Sequence, residues 1–404
     1  ANTTGTNNIA IGRGALDANT TANNNTAIGT ESLTSNTTGT HNVGCGYATL
    51  ESNTTADNNT AVGSVALNGA TTGSHNTAVG SHALDVVSTG EKNTAIGSNA
   101  LGANTVSENT AVGYYALSGN TTGTYNTAMG VQAMHQTTTS QRGTAVGYFA
   151  LDNSNAGDRN SAFGFQALTS LTTGGHNTAI GDAAMEAATT GNYNVAMGQA
   201  ALVTCTTGHN NTAIGTRALD AFNGNENVAV GVDALGACTT GQYNVSVGAD
   251  SAEFLTTGSS CTSVGHDSMR YCNGSNNTFI GQGAGLGVSG GTTGSQNTGI
   301  GRNALNDLTT GGDNTAVGSY AADNLTTGFD NVYVGDNAGN THATGNGCVF
   351  VGRACNGSST SVHEENVFGR NLTGKGTETT FLGGTTGTFN EANETHFDTT
   401  SDSR

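Results

Sequence analysis

A glycine recurs at every seventeenth position along most of this chain: Gly12, Gly29, Gly46, Gly63, Gly80 and Gly97 begin a series that continues to Gly369. It closes a motif of the form Asn-Thr-Ala-Val/Ile-Gly. The whole unit reads T-T-G-x-x-N-T-A-V-G-x-x-A-L-x-x-x, and counting from its first Thr the recurrent glycine is position 10. A few steps shorten by one residue, the step from Gly281 to Gly301 lengthens by three, and a weak last copy ends at Gly383, which makes about 23 copies. Self-similarity at a fixed period marks a stack of like units, and helical hairpin repeats need more than about 30 residues each. A 17-residue unit suits one turn of a parallel β-coil. N-T-A-V alternates and is β-branched, so it reads as a strand. T-T-G reads as a turn whose Gly supplies an unusual φ, and the A-L segment reads as the beginning of a second strand or its approach. The predicted fold is all-β: a parallel β-solenoid, or β-roll, of about 23 coils.

Composition tests this reading. The 404 residues include 62 Gly and no Pro or Trp, and 34% are hydrophobic, against about 45–50% in ordinary globular proteins. Such material does not build a conventional core, and low hydrophobicity alone would indicate disorder. A strict apolar register is what disordered chains lack. Regular repeats are expected over 1–352, with a longer loop near 282–296. Residues 353–404 read as degenerate repeats, a cap or the transition to a following domain. The chain opens inside a repeat and has no initiating Met, so it reads as a processed product or a piece of something longer.

Position 9 is almost always Ile, Val, Met, Phe or Leu and is read as the core row, with Ile28, Val62, Val79, Ile96, Ile180, Ile214 and Val317 as examples. Position 14 adds Leu33, Leu67 and Leu84. Position 7 shares the face of position 9 because strand side chains alternate. Position 6 is Asn in most copies, as in Asn25, Asn59, Asn76, Asn93, Asn126, Asn177, Asn211 and Asn314. Stacked at one corner, these amides are expected to form a structural ladder to the next coil and to turn backbone. Position 8, as in Ala61, Ala78, Ala95, Ala128, Ala179 and Ala213, then points outward. Together with the small residues of position 13, it is read as a surface where another copy of the chain approaches closely.

Runs such as Asn76-Thr77-Ala78-Val79-Gly80, followed by Ala83-Leu84 and a T-T-G-like turn, resemble the repeats of phage tail-fibre and related virion fibre proteins. They are also similar to the head repeats of trimeric autotransporter adhesins. The resemblance covers about residues 1–352. It implies a left-handed β-roll and a homotrimeric fibre, extracellular or on a virion surface, that attaches to a host-surface glycan or protein. The adhesin heads use a shorter repeat, and no self-cleaving chaperone domain of the tail-fibre kind is visible here.

The chemistry of enzymes is not legible. The seven Cys make an odd number, no C-x-x-C pattern occurs, and Cys205, Cys238 and Cys272 fall at position 17 of alternate coils, too far apart to pair; Cys348 and Cys355 lie within one coil, where pairing is open. His41, His75 and His176, like Tyr125, Tyr193 and Tyr243, sit on a turn and form no consecutive ladder. No calcium or phosphate motif occurs, and no cofactor or metal site is expected. A formal net charge of −18 disfavours nucleic acid, and no apolar run is long enough to insert in a membrane. A structural, adhesive, non-enzymatic fibre segment is the leading reading. The alternatives are an ice-binding or other Thr-array solenoid, and a self-assembling extracellular filament or sheath.

Overall fold

The computed structural model describes residues 2–155, 157–384 and 387–392. It contains two compact units, Ala1–His209 and Asn210–Arg404, and each is a parallel β-solenoid. Strands β1 (Ile9–Ile11) to β12 (Val195–Met197) belong to the first unit, β13 (Thr212–Ile214) to β24 (Gly387–Ala392) to the second, and no helix occurs among the described residues. Strands β1 to β22 are each three residues long and occupy positions 7 to 9 of the repeat. Within each unit a strand pairs in parallel with the next, like on like: Thr60 with Thr77, Ala61 with Ala78, Val62 with Val79. Parallel pairing continues from β22 (Asn366–Phe368) to β23 (Thr379–Gly384), after which β24 returns antiparallel to β23. Residues 393–404 of the degenerate segment lie outside the described residues.

Position 10 requires glycine. Its φ lies between 129° and 144° along the whole series, and a Cβ at Gly12 would stand 2.5 Å from the Gly29 carbonyl oxygen of the next coil. The glycine of T-T-G is different. It does not adopt the left-handed region, and Ala22 and Ala56 replace it; positive φ occurs instead two residues later, at His41 (59°) and His75 (63°).

The second strand expected around A-L does not form. Positions 12 and 14 both adopt φ near +50 to +60°, with every Leu of position 14 between 50° and 54°. A non-glycine residue in that region costs about 1–2 kcal/mol. Leu33, Leu67 and Leu84 are completely buried, and burying a Leu is worth about 1.5–3 kcal/mol. The conformation also keeps the stack bonded, since the Leu33 amide donates to the Thr49 carbonyl at 2.9 Å. Burial and this hydrogen bond together outweigh the backbone cost.

The expected core row is inverted. Ile28, Val62, Ile96, Ile180, Ile214 and Val317 are 36–41% exposed, and Val79 is half-buried. The inter-chain assignment of Ala61, Ala78, Ala95, Ala128, Ala179 and Ala213 is overturned as well: all are completely buried inside the coil, as is Ala83 of position 13. The reason is girth. The interior of a 17-residue coil with one three-residue strand is already occupied by the Leu of position 14 and the residue of position 17, as in the completely buried pairs Leu168 with Leu171 and Leu305 with Leu308. In most coils this leaves the strand room for no more than a methyl group.

The Asn of position 6 is buried in each of Asn25, Asn59, Asn76, Asn93, Asn126, Asn177, Asn211 and Asn314. Asn59 shows the pattern: its Oδ1 accepts from the Asn76 amide at 2.8 Å, and its Nδ2 donates to the Gly73 carbonyl of the next coil at 2.9 Å. A second amide ladder, not legible in the consensus, runs inside the first coils at position 17. Asn36 Nδ2 donates to Asn19 Oδ1 at 3.0 Å and Asn53 Nδ2 to Asn36 Oδ1 at 2.7 Å. It stops where Ala70 takes the next place, leaving Asn53 Oδ1 buried without a hydrogen bond.

The first ladder is interrupted at Gly143, and the Met134 Cε methyl lies 2.7 Å from where its Cβ would be. Met134 has moved into the space of the missing amide. Gly143→Asn combined with Met134→Leu restores the consensus and adds bonds to the Gly157 carbonyl and Asn160 amide. The pair is expected to stabilise the first unit by about 1–2 kcal/mol, read as a higher urea midpoint.

All seven cysteines are free, including Cys348 and Cys355, and every one except Cys45 is buried. Burial pushes the Cys205 thiol up to about 11 and the Cys272 thiol up to about 12, so neither is a reactive thiolate at neutral pH.

Candidate functional site: an apolar sheet face and a pocket at the longest coil

Because Ala points inward, positions 7 and 9 of every strand point outward. In the first unit this leaves Ile28, Val62, Ile96, Met129, Phe163, Ile180 and Met197 between 38% and 48% exposed. The second unit exposes Ile214, Val247, Ile280, Ile300, Val317 and Val334 at 36–38%. Position 7 alongside is Thr or Val in most strands, and no strand from β1 to β22 carries a charged residue. Isolated apolar residues on a surface are ordinary, but a continuous apolar row marks an interaction face. Cys45 lies in this row.

Threonines at position 1 are committed elsewhere. The Thr37 hydroxyl donates to the Thr54 carbonyl at 3.0 Å, and that of Thr54 to the Thr71 carbonyl at 3.1 Å. The position-5 turn does carry some consecutive contacts, contrary to expectation: His176 and Tyr193 stack at 4.7 Å between centroids.

The second surface lies in the second unit, where the coil beginning at Gly281 is three residues longer than the consensus. Phe254 and Tyr271, both at position 16, stack with centroids 5.2 Å apart and planes 7° from parallel. The next residue in that row is Gly287, so the ring ladder stops at Tyr271. Beyond Gly287 the chain bulges through a turn in which the Gly291 amide donates to the Val288 carbonyl. Thr292 anchors the bulge: its hydroxyl accepts from the Val288 amide at 2.8 Å and donates to the Leu308 carbonyl at 3.0 Å. A pocket of about 380 Å³ results, between the two rings, Thr256 and Asn273 on one side and Ser289 and Thr293 on the other. Its lining contains no charged residue. The Arg270 guanidinium lies 5.5 Å from the Tyr271 ring and is already held by Glu253 at 2.7 Å and Asp267 at 2.8 Å.

Asp250, His266 and Asp267 bring two carboxylates and an imidazole within 4.8 Å of one another, the one grouping among the described residues that could hold a metal ion. Two of these donors are engaged: His266 Nδ1 lies 2.8 Å from Asp267, and Asp267 also holds Arg270. The same stack places Asp233 under bidentate contact from Arg217 at 2.7 and 2.6 Å. The Arg217 guanidinium accordingly holds the Asp233 carboxyl below its ordinary value. In this row Asp233 is paired with Arg217 and Asp267 with Arg270.

No protein-family model matches the chain, and no curated protein matches it. No helix among the described residues is long and apolar enough to cross a membrane.

Proposed function

We propose that this chain is a structural and adhesive fibre segment, extracellular or virion-borne, that assembles with copies of itself through the outward face of positions 7 and 9. The observation that carries the reading is the lack of any charge on that face in β1 to β22, together with its row of exposed Ile, Val, Met and Phe. Water-facing sheet positions ordinarily alternate with polar residues. Here the polar and charged residues occupy the turns. Three chains packed on these faces share a core that no single coil is wide enough to contain. The number three comes from the resemblance of the repeat to trimeric fibre proteins. The interface differs from the one expected from the Ala rows: position 9 replaces position 8. A host-surface glycan or protein is the proposed target, and no catalytic role is assigned.

Light scattering coupled to size exclusion tests the assembly. A mass near three times the 40.2 kDa of one chain supports it, and a monomer overturns it. Cys45 gives an independent readout, because the other six thiols are buried within the coils. In the assembled protein Cys45 is expected to resist alkylation, and after dissociation without unfolding it alone should react. Rapid labelling of Cys45 in the native protein would mean that the face is open to solvent.

One observation favours a second reading. Thr of position 7 and Val or Ile of position 9 form a regular Thr-x-aliphatic array on the outward sheet face, which is the kind of surface an ice-binding solenoid presents. A monomer with thermal hysteresis activity would establish that reading over the fibre.

A further inference from the structure

The pocket at the longest coil has the chemistry of a site for a small neutral saccharide. We propose that it binds one or two uncharged pyranose rings; this rests on the adhesive reading and names its ligand. The aromatic ladder formed by Phe254 and Tyr271 ends where Gly287 replaces the next ring. The two stacked rings thus border a cavity whose lining also includes Thr256, Asn273, Ser289, Thr293 and the glycines of the bulge. A pyranose has matching faces, with apolar C–H groups on its flat side and hydroxyl groups around its rim. Amphipathic aromatics and a few convergent polar groups are what such a ligand requires.

Size and charge restrict the ligand further. At about 380 Å³ the cavity is at the small end of the usual range of roughly 300–1,000 Å³ for small-molecule sites. The cation beside the Tyr271 ring, Arg270, is neutralised by Glu253 and Asp267, and Asp250 stands in the adjoining row. The lining itself offers no positive charge to a carboxylate, sulfate or phosphate, so sialylated and sulfated sugars are disfavoured. The site is also preorganised. Asn273 Oδ1 accepts the Thr256 and Thr257 amides at 3.0 and 2.9 Å, and Thr292 ties the bulge to the coil behind it.

The test is a glycan array probed with the full chain, carrying neutral, sialylated and sulfated oligosaccharides, with hits confirmed by saturation-transfer NMR. Binding of neutral glycans is expected, falling at least tenfold in Tyr271→Ala and in Ser289→Trp. The second variant fills the pocket from an exposed loop position and leaves the coil interior untouched, so it separates loss of the site from loss of the fold. Phe165→Ala removes a stacked exposed ring elsewhere, 5.5 Å from Tyr148, and should leave binding unchanged. Failure to bind any neutral glycan, a preference for acidic glycans, or equal loss in Phe165→Ala would overturn the assignment. The mass of the same sample keeps the two proposals apart: an assembled chain that ignores neutral sugars refutes only the pocket, and a monomer that binds them refutes only the assembly.

Discussion

Ile180→Asp is expected to dissociate the assembly to monomers while each chain stays folded. The Ile180 side chain is 38% exposed in the single chain, so an aspartate there keeps its carboxylate in water. Its cost to the isolated coil is about 1 kcal/mol at most, the span of strand preference. Between copies the same carboxylates would be buried without partners, at several kcal/mol per ion. The adjacent substitution should behave in the opposite way. Ala179 is completely buried, so Ala179→Asp forces an unpaired charge into the coil interior and is expected to unfold the surrounding coils. Scattering mass and circular dichroism on the two variants read the two faces of one strand separately. If Ile180→Asp unfolds the chain and Ala179→Asp is tolerated, the strand faces are reversed and the proposed interface is wrong.

The second large effect concerns the aromatic residues that enter position 8 in the second unit. Phe279 is completely buried where other coils have Ala. Gly285, at position 14, stands where they have Leu, and a Cβ there would lie 2.5 Å from the Phe279 ring. In this coil the strand supplies the large side chain that the turn supplies elsewhere. Phe279→Ala should cost about 3–5 kcal/mol by opening a cavity, and Gly285→Leu alone should be destabilising because it overpacks the ring. Combined, they recreate the consensus. Leu is at home in this conformation, as Leu84 and Leu101 are at φ 51° and 53°, against 58° for Gly285. The double variant is therefore expected to recover to within about 1–2 kcal/mol of the parent, a strongly non-additive cycle visible in urea midpoints. Additive losses would show that the two positions do not share one space. Tyr333 and Gly339 repeat the exchange, since a Cβ at Gly339 would collide with the Tyr333 ring.

These exchanges show how far the sequence can be read. The loss of Leu from position 14 after Leu305 and the arrival of Phe279, Tyr333 and Phe350 at position 8 are both visible in the letters. That Gly285 with Phe279 and Gly339 with Tyr333 are compensating exchanges follows only once the two positions are seen to face each other across the coil. The Asn row of position 6 was legible because it recurs with the period. The amide ladder of Asn19, Asn36 and Asn53 was not, because position 17 changes residue type after a few coils. The pocket was legible only as an irregular, lengthened step between Gly281 and Gly301; that Tyr271 ends a ring stack there depends on which coils are neighbours.

The 17-residue period by itself determined the all-β solenoid and its like-on-like register. In a stack with that period every residue finds its equivalent one coil away, so the glycine, the asparagine and the leucine each form a row. Strand alternation also determined that positions 7 and 9 share one side and position 8 the other. Which side faces inward was decided by the tertiary structure alone. Hydrophobicity placed Ile and Val in the interior, and in most proteins it would be right. Here the Leu of position 14 and the residue of position 17 already occupy the space that the strand faces in most coils. The interior takes Ala from the strand and Leu from a left-handed turn, and the larger aliphatic side chains are left on the outer face.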